Sequence, residues 1–152
     1  MYKNKIEPVQ LTYGRGYVYS VQYHIVWCTK DRTQILTDRI ADDCRKILQE
    51  IADENGFRLL NMEIMPDYIY LLVDTSPQFH IPNMLRVMKG VLARKIFCRH
   101  PELKEKENHL WVRSYCIVTP SDRSMEQIRQ YLESQKPCGH RKKTVVDKGL
   151  GE

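Results

Sequence analysis

Two pairs of residues in this chain have the types and spacing to do chemistry. Tyr131 and Gln135 lie four apart, so a helix would put a phenol and an amide oxygen on one face. Taken by itself, such a pair is more often found on the surface and boundary of an ordinary helix. Tyr68 and Tyr70 flank Ile69, and a strand would point both phenols to the same side. Two rings on a sheet can stack on single-stranded bases, at ~1–3 kcal/mol each, or simply cover the sheet. A phenol with a pKa near ~10 stays protonated at neutral pH and is a poor ligand for magnesium or manganese. His24, His80, His100, His109 and His140 show no metal-ligand spacing, and His24, one residue from Tyr23 on a strand, is expected to pack or bond locally.

The cations are unevenly spread. Lys30 and Arg32 follow the first strand, Lys89, Arg94, Lys95 and Arg99 fall in one helical stretch, and Arg141, Lys142 and Lys143 cluster near the end. A net charge of +5 and a pI of about 8.9 permit a polyanionic partner without requiring one. Five cysteines, with no C-x-x-C pair, argue against a disulfide framework or a thiolate zinc site and point to a reducing cytoplasm. No apolar run is long enough to cross a bilayer, and no apolar stretch follows the basic N-terminus as a secretory signal would need.

These residues need elements to hold them. Hydrophobic residues are 42 % of 152, enough for one domain with a real core. Residues 1–16 read as a flexible arm, 17–136 as the folded domain and 137–152 as a basic tail. Within the domain, Tyr17 to Cys28 is aromatic and β-branched, a strand. Ile40, Cys44, Ile47, Leu48 and Ile51 recur at helical spacing between Thr37-Asp38 and Asn55-Gly56. Phe57–Met65 and Tyr68–Val73 read as a hairpin around Pro66-Asp67, and a second helix runs from about Ile81 to His100. Glu102 to Asn108 reads as a charged loop, Leu110–Val118 as a fourth strand, and Ser124 to Lys136 as a last helix. The order β-α-β-β-α-β-α predicts an α+β, ferredoxin-like split βαβ fold, with an antiparallel sheet, helices on one face and an added C-terminal helix. That fold hosts many functions and decides none.

Four ordered stretches resemble the insertion sequence 200/605 family of transposases, the HUH-type enzymes with one catalytic tyrosine. They are Tyr23-His24-Ile25-Val26-Trp27-Cys28-Thr29-Lys30, Glu63-Ile64-Met65-Pro66-Asp67 running into Tyr68-Ile69-Tyr70-Leu71-Leu72, Met88-Lys89-Gly90 followed by Leu110-Trp111-Val112-Arg113-Ser114-Tyr115, and Ile128-Arg129-Gln130-Tyr131-Leu132-Glu133-Ser134-Gln135. The resemblance implies that Tyr131 is the nucleophile, becoming joined to a DNA 5′ end, and that Gln135 is the third ligand of a magnesium or manganese ion. Tyr68 and Tyr70 stand where the family carries its two metal-binding histidines. Metal binding is therefore expected to be weak or absent and cleavage impaired. The resemblance further implies hairpin-bearing single-stranded DNA as partner, a homodimer whose last helices complete each other's sites, and DNA contacts from Lys30, Arg32, Lys89, Arg94, Lys95 and Arg113. A catalytically inactive, domesticated regulator that binds DNA hairpins on the same surface is the alternative. A ferredoxin-like module with no nucleic-acid role is a third, disfavoured by the Tyr131 and Gln135 match.

Overall fold

The structure is a computed structural model describing residues 11–106 and 108–136. The elements, in chain order, are β1 (Thr12–Gly14), β2 (Tyr17–Tyr19), β3 (Val21–Cys28), a 3-10 turn at Lys30–Arg32, α1 (Asp38–Asn55), β4 (Arg58–Ile64), β5 (Tyr68–Thr75), α2 (Ile81–Arg99), α3 (Pro101–Lys106), β6 (Cys116–Val118) and α4 (Ser124–Ser134).

The main sheet runs β4-β5-β3-β6, every neighbour antiparallel. Placing β5 between β3 and β4 makes β3-α1-β4 a split βαβ unit, so the ferredoxin-like expectation holds. The two-fold period of the strands separates two interiors. Ile25 and Trp27 of β3 and Ile69, Leu71 and Val73 of β5 face α1 and α2. Those helices bury Cys44, Ile47, Leu48 and Ile51 of α1, the stripe anticipated from its spacing, and Met84, Leu85, Met88, Leu92 and Ile96 of α2. The residues between them on the strands, Val26 and Tyr70, turn to the other face and pack under Ile128 of α4. Helix α1 stops where the chain turns left-handed at Gly56 (φ +75°), whose N–H bonds to the Ala52 carbonyl at 2.9 Å.

Four local expectations change. Residues from Leu11 onward, expected as part of an arm, include the β1–β2 hairpin, turned by Arg15-Gly16 with Gly16 at φ +78°. The Tyr17 ring covers Gly14 closely: a Cβ there would lie 2.7 Å from it, so a larger residue would displace the ring. The strand expected over Tyr17–Cys28 is broken at Ser20 into β2 and β3. The stretch expected as a charged loop begins with a helix, α3. Pro101 opens it, Glu102 lies in its first turn, Lys104 and Lys106 lie in its last, and Leu103 is buried. The fourth strand pairs only at Cys116–Val118, with one further bridge between Thr29 and Trp111. The Val112, Arg113 and Ser114 carbonyls instead accept hydrogen bonds from the Lys89 ammonium.

The cluster Arg141, Lys142 and Lys143, with Cys138 and His140, lies outside the described residues. Among the described residues no helix is long and apolar enough to cross a membrane.

Candidate functional site

On the face of the sheet away from α1 and α2, α4 lies over β3 and β6. Its Ile128 packs on Val26 and Tyr70, with Tyr68, Leu72, Cys116, Val118, Tyr131 and Leu132 around them. Tyr68, Tyr70, Tyr131 and Gln135 thus come from the start of β5 and the last turn of α4 into one region, as the resemblance implied.

The Tyr131 and Gln135 side chains meet through Ser114. Ser114 Oγ lies 2.8 Å from Tyr131 Oη and donates to Gln135 Oε1 at 3.2 Å. Since a serine hydroxyl has one hydrogen, Tyr131 then donates to Ser114, and the chain runs from phenol to hydroxyl to amide. Ser114 lies inside one of the family-like stretches, but nothing in its type or spacing assigns it a role. It precedes the short strand β6 in an irregular stretch, so no periodicity could have pointed to it.

Burial raises the Tyr131 phenol to about 12, and the Ser114 hydrogen bond works against the rise. Burial, then the nearby carboxylates of Glu63 and Asp67, raise Tyr68, while Arg32 pulls the other way. Burial also pushes the neighbouring Cys28 thiol up to about 11. The phenols and thiol are therefore neutral at physiological pH.

Tyr70 is only 8 % exposed, and its hydroxyl shares a 2.7 Å hydrogen bond with His24 Nδ1. The two rings stack with centroids 5.8 Å apart. Burial lowers the His24 pKa, so the imidazole is neutral. The local bonding expected of His24 has a definite partner, three residue pairs from the end of the ladder between β3 and β5. This donor set does not fit a magnesium or manganese ion. Such ions select anionic or carbonyl oxygens, and here two ligand positions hold neutral phenols, one of them packed into an apolar cluster. Among the described residues no three His, Cys, Asp or Glu side chains are grouped to hold a metal.

The six cations assigned to DNA fare differently. Arg32 is 9 % exposed at its side chain; it pairs with Asp67 (Nη2–Oδ2 2.8 Å), donates to the Leu132 carbonyl at 2.6 Å and lies over the Tyr68 ring at 5.7 Å. It ties the end of α4 to the β4–β5 turn and is not a free phosphate ligand. The backbone there is unusual: Asp31 and Arg32 are both left-handed, at φ 56° and 53°. Lys89 is likewise turned inward. Its Nζ donates to the Val112 and Ser114 carbonyls at 2.7 and 3.1 Å, and burial lowers its pKa. The Trp111 indole donates back to the Lys89 carbonyl at 3.0 Å, so helix and loop are clasped from both sides. Lys95 pairs with Glu50 of α1 at 3.6 Å. Lys30 is half-buried in the 3-10 turn, and Arg94 and Arg113 are exposed. Arg113 adjoins Ser114, whereas Arg94 sits on α2, across the sheet from Tyr131.

Comparison with known proteins places this arrangement. The family model described as "Transposase IS200 like" matches residues 17–135. The ISDra2 transposase TnpA of Deinococcus radiodurans is 45 % identical over 132 residues, covering 86 % of this chain and 94 % of that protein. The transposase for insertion sequence element IS200 of Salmonella typhimurium is 24 % identical over 119 residues, covering 77 % and 78 %. A crystal structure from Deinococcus radiodurans R1, described as that of a transposase, superposes with a TM-score of 0.79 at 44 % identity, covering 82 % of this chain and 98 % of that one. A REP-associated tyrosine transposase bound to a REP hairpin shares the fold, with a TM-score of 0.50 at 10 % identity, covering 76 % and 66 %.

Proposed function

The chain belongs to the IS200-like transposase family, and on that premise we propose that it binds hairpin-bearing single-stranded DNA at insertion-sequence ends, as a homodimer, with metal-dependent cleavage impaired. The observation that carries the reading is the pairing of a retained nucleophile position with altered ligand positions. Tyr131 is held by Ser114 beside Gln135, while Tyr70 is sealed under α4 and bonded to His24.

Cleavage by the family's route would form a bond from Tyr131 Oη to phosphorus and break the bond to the 3′ oxygen. The phenol proton ends, net, on the released 3′ hydroxyl. Ser114 is placed to orient the phenol oxygen during attack. Without an ion on the phosphate, the step lacks a contribution of several kcal/mol, and each ~1.4 kcal/mol is about tenfold in rate. The reaction therefore falls by orders of magnitude while DNA binding persists.

The burial of Tyr70 favours the regulator as the second reading, because a ring integrated into packing is a settled feature of the fold. A denaturing gel with labelled hairpin DNA and manganese tests the pair. The unmodified chain should give little or no covalent adduct while still shifting the DNA on a native gel. A robust manganese-dependent adduct would refute impaired cleavage, and absence of any shift at low salt would refute both readings. Light scattering at micromolar concentration should give twice the chain mass; a strictly monomeric species would remove the dimer from the proposal.

A further inference from the structure

The Lys89 ammonium sits where a loop needs a cation. Strand pairing beside β3 is interrupted between the bridge at Trp111 and the start of β6 at Cys116, and residues 113–115 belong to no strand. The Val112 amide still donates to the Cys28 carbonyl at 3.1 Å. After that bond, three successive carbonyls point at one atom. Lys89 Nζ lies 2.7 Å from the Val112 oxygen, 3.4 Å from that of Arg113 and 3.1 Å from that of Ser114. An ammonium has three N–H donors and no acceptor, so this side chain serves all three oxygens at once. The Tyr115 ring lies 5.9 Å from the same nitrogen, a cation–π contact. Trp111, whose indole bonds back to the Lys89 carbonyl and packs edge-on against Trp27, anchors the start of the loop.

Ser114 is both the last residue of this clasp and the one that meets the Tyr131 phenol. Its carbonyl is held by Lys89, while its hydroxyl accepts from Tyr131 and donates to Gln135. Each residue outside a ladder has two soft dihedrals that no regular pairing fixes. The direction of the Ser114 side chain therefore depends on what holds its backbone, and Lys89 does so. Lys89 belongs to α2, on the opposite face of the sheet from α4, so its ammonium links the two layers beside the β6 edge.

We propose that Lys89 is a positioning residue for Tyr131: by holding the carbonyls of residues 112–114 it sets the Ser114 hydroxyl, and through it the phenol oxygen, at the place from which attack starts. The inference rests on the reading above that gives Tyr131 the nucleophile's position, and adds to it a residue that does not touch the phenol. Two of the three ammonium bonds lie at the surface. Water can serve those oxygens when the ammonium is removed, so the domain keeps its fold while the Ser114 hydroxyl loses its fixed direction.

The experiment is nuclear magnetic resonance of the full chain carrying ring-13C tyrosine, without DNA or metal. The Tyr131 signal is the one that Tyr131→Phe removes, and Tyr70→Phe identifies that of Tyr70. Ser114→Ala should move the Tyr131 signal, because the phenol loses its partner. Lys89→Met, which keeps the apolar stem, should move it in the same direction. The two substitutions together should move it no further than Ser114→Ala alone, the non-additivity of residues acting through one another. The Tyr70 signal should stay in place, since that hydroxyl is bonded to His24. Should Lys89→Met fail to fold, Lys89→Gln, with two donors on a shorter stem, should give the same shift at smaller size. A Tyr131 signal unmoved by Ser114→Ala or by the folded Lys89 variant would overturn the proposal. So would shifts that add in the double variant, which would mean that Lys89 acts apart from Ser114. A Tyr70 signal displaced as far as that of Tyr131 would overturn it in favour of a general loosening of α4. Because no DNA is present, these outcomes are separate from hairpin binding and cleavage, whose failure on the gels would refute the underlying function instead.

Discussion

Restoring both ligand histidines, Tyr68→His with Tyr70→His, should have two opposed effects on stability. Tyr70 is almost fully buried against Val26 and Ile128, and its hydroxyl meets His24. Truncating a buried aromatic to Ala costs ~3–5 kcal/mol, so exchange for the smaller, more polar imidazole should cost about 2 kcal/mol. Losing the bond to His24 adds about 1 kcal/mol. Tyr68 is half-exposed and adds little. A domain of this size loses roughly 3–4 °C per kcal/mol, so the metal-free revertant should melt about 10 °C below its parent. Manganese should then reverse most of the loss, because a ligand at about a hundred times its Kd stabilises by ~2.7 kcal/mol. The parent's melting temperature should not respond to the same manganese. The assay is a thermal melt of parent, Tyr70→His and double revertant, with and without manganese, beside the adduct gel. The single revertant should be destabilised and remain insensitive to the metal. The adduct of the double revertant should vanish when Tyr131→Phe is added. A double revertant as stable as its parent would show that the Tyr70 packing is not holding α4. One that is destabilised but unmoved by manganese would show that Gln135 and the two imidazoles do not converge on an ion.

Arg32→Met should lower stability by about 3 kcal/mol in a urea titration, since it strands Asp67 and the Leu132 carbonyl together; a loss below about 1 kcal/mol would mean that α4 is held by apolar contact alone. Lys89→Met should leave the salt dependence of DNA binding unchanged, because its ammonium is turned onto carbonyls. Arg113→Ala should instead flatten the log–log slope by about 0.7 on single strands, and the opposite pattern would restore Lys89 as a phosphate contact. The His100 hydrogen bond, helped by Arg99, holds the Asp43 carboxyl below its ordinary value. That stabilisation is present above the unfolded pKa of about 3.9 and is lost as pH falls through the lower folded value. Asp43→Asn should therefore cost no more than about 1 kcal/mol at pH 7, less in high salt, and should flatten the stability profile below about pH 4; an unchanged acid limb would contradict it.

Elements with strong periodicity were legible in the sequence, and those that depend on partners were not. Helices α1 and α2 announced themselves through apolar stripes, and β4–β5 through Pro66-Asp67, because those signals are local. The stretch 110–115 looked like strand because Leu110, Trp111 and Val112 favour it. What decides its shape is an ammonium more than twenty residues earlier in the chain, a tertiary effect that propensity does not contain. The same holds in the site. Spacing placed Tyr68 with Tyr70 and Tyr131 with Gln135, but the pairing of Tyr70 with His24 arises from strand register, and the bridging Ser114 from the irregular stretch before β6. Arg32 and Lys89 were assigned to phosphate because they are basic and adjoin the motifs. A positive charge says nothing about which oxygens it will find first, and both found backbone carbonyls.

The link between β6 and α4 sets a geometric limit on how copies of this chain can share a site. Only residues 119–123 separate the two elements, and five residues span about 17 Å when fully extended. The tether is also knotted on itself: Ser124 Oγ accepts from the Ser121 amide at 2.7 Å and donates to the Thr119 carbonyl at 2.8 Å. Any exchange of α4 must first untie those bonds and release the Arg32 contact, and even then the helix reaches only a sheet lying next door. Because β6 is an edge strand, such a neighbour has to approach along that edge. Lengthening residues 119–123 would relax the limit, and shortening them by two would confine each α4 to its own sheet.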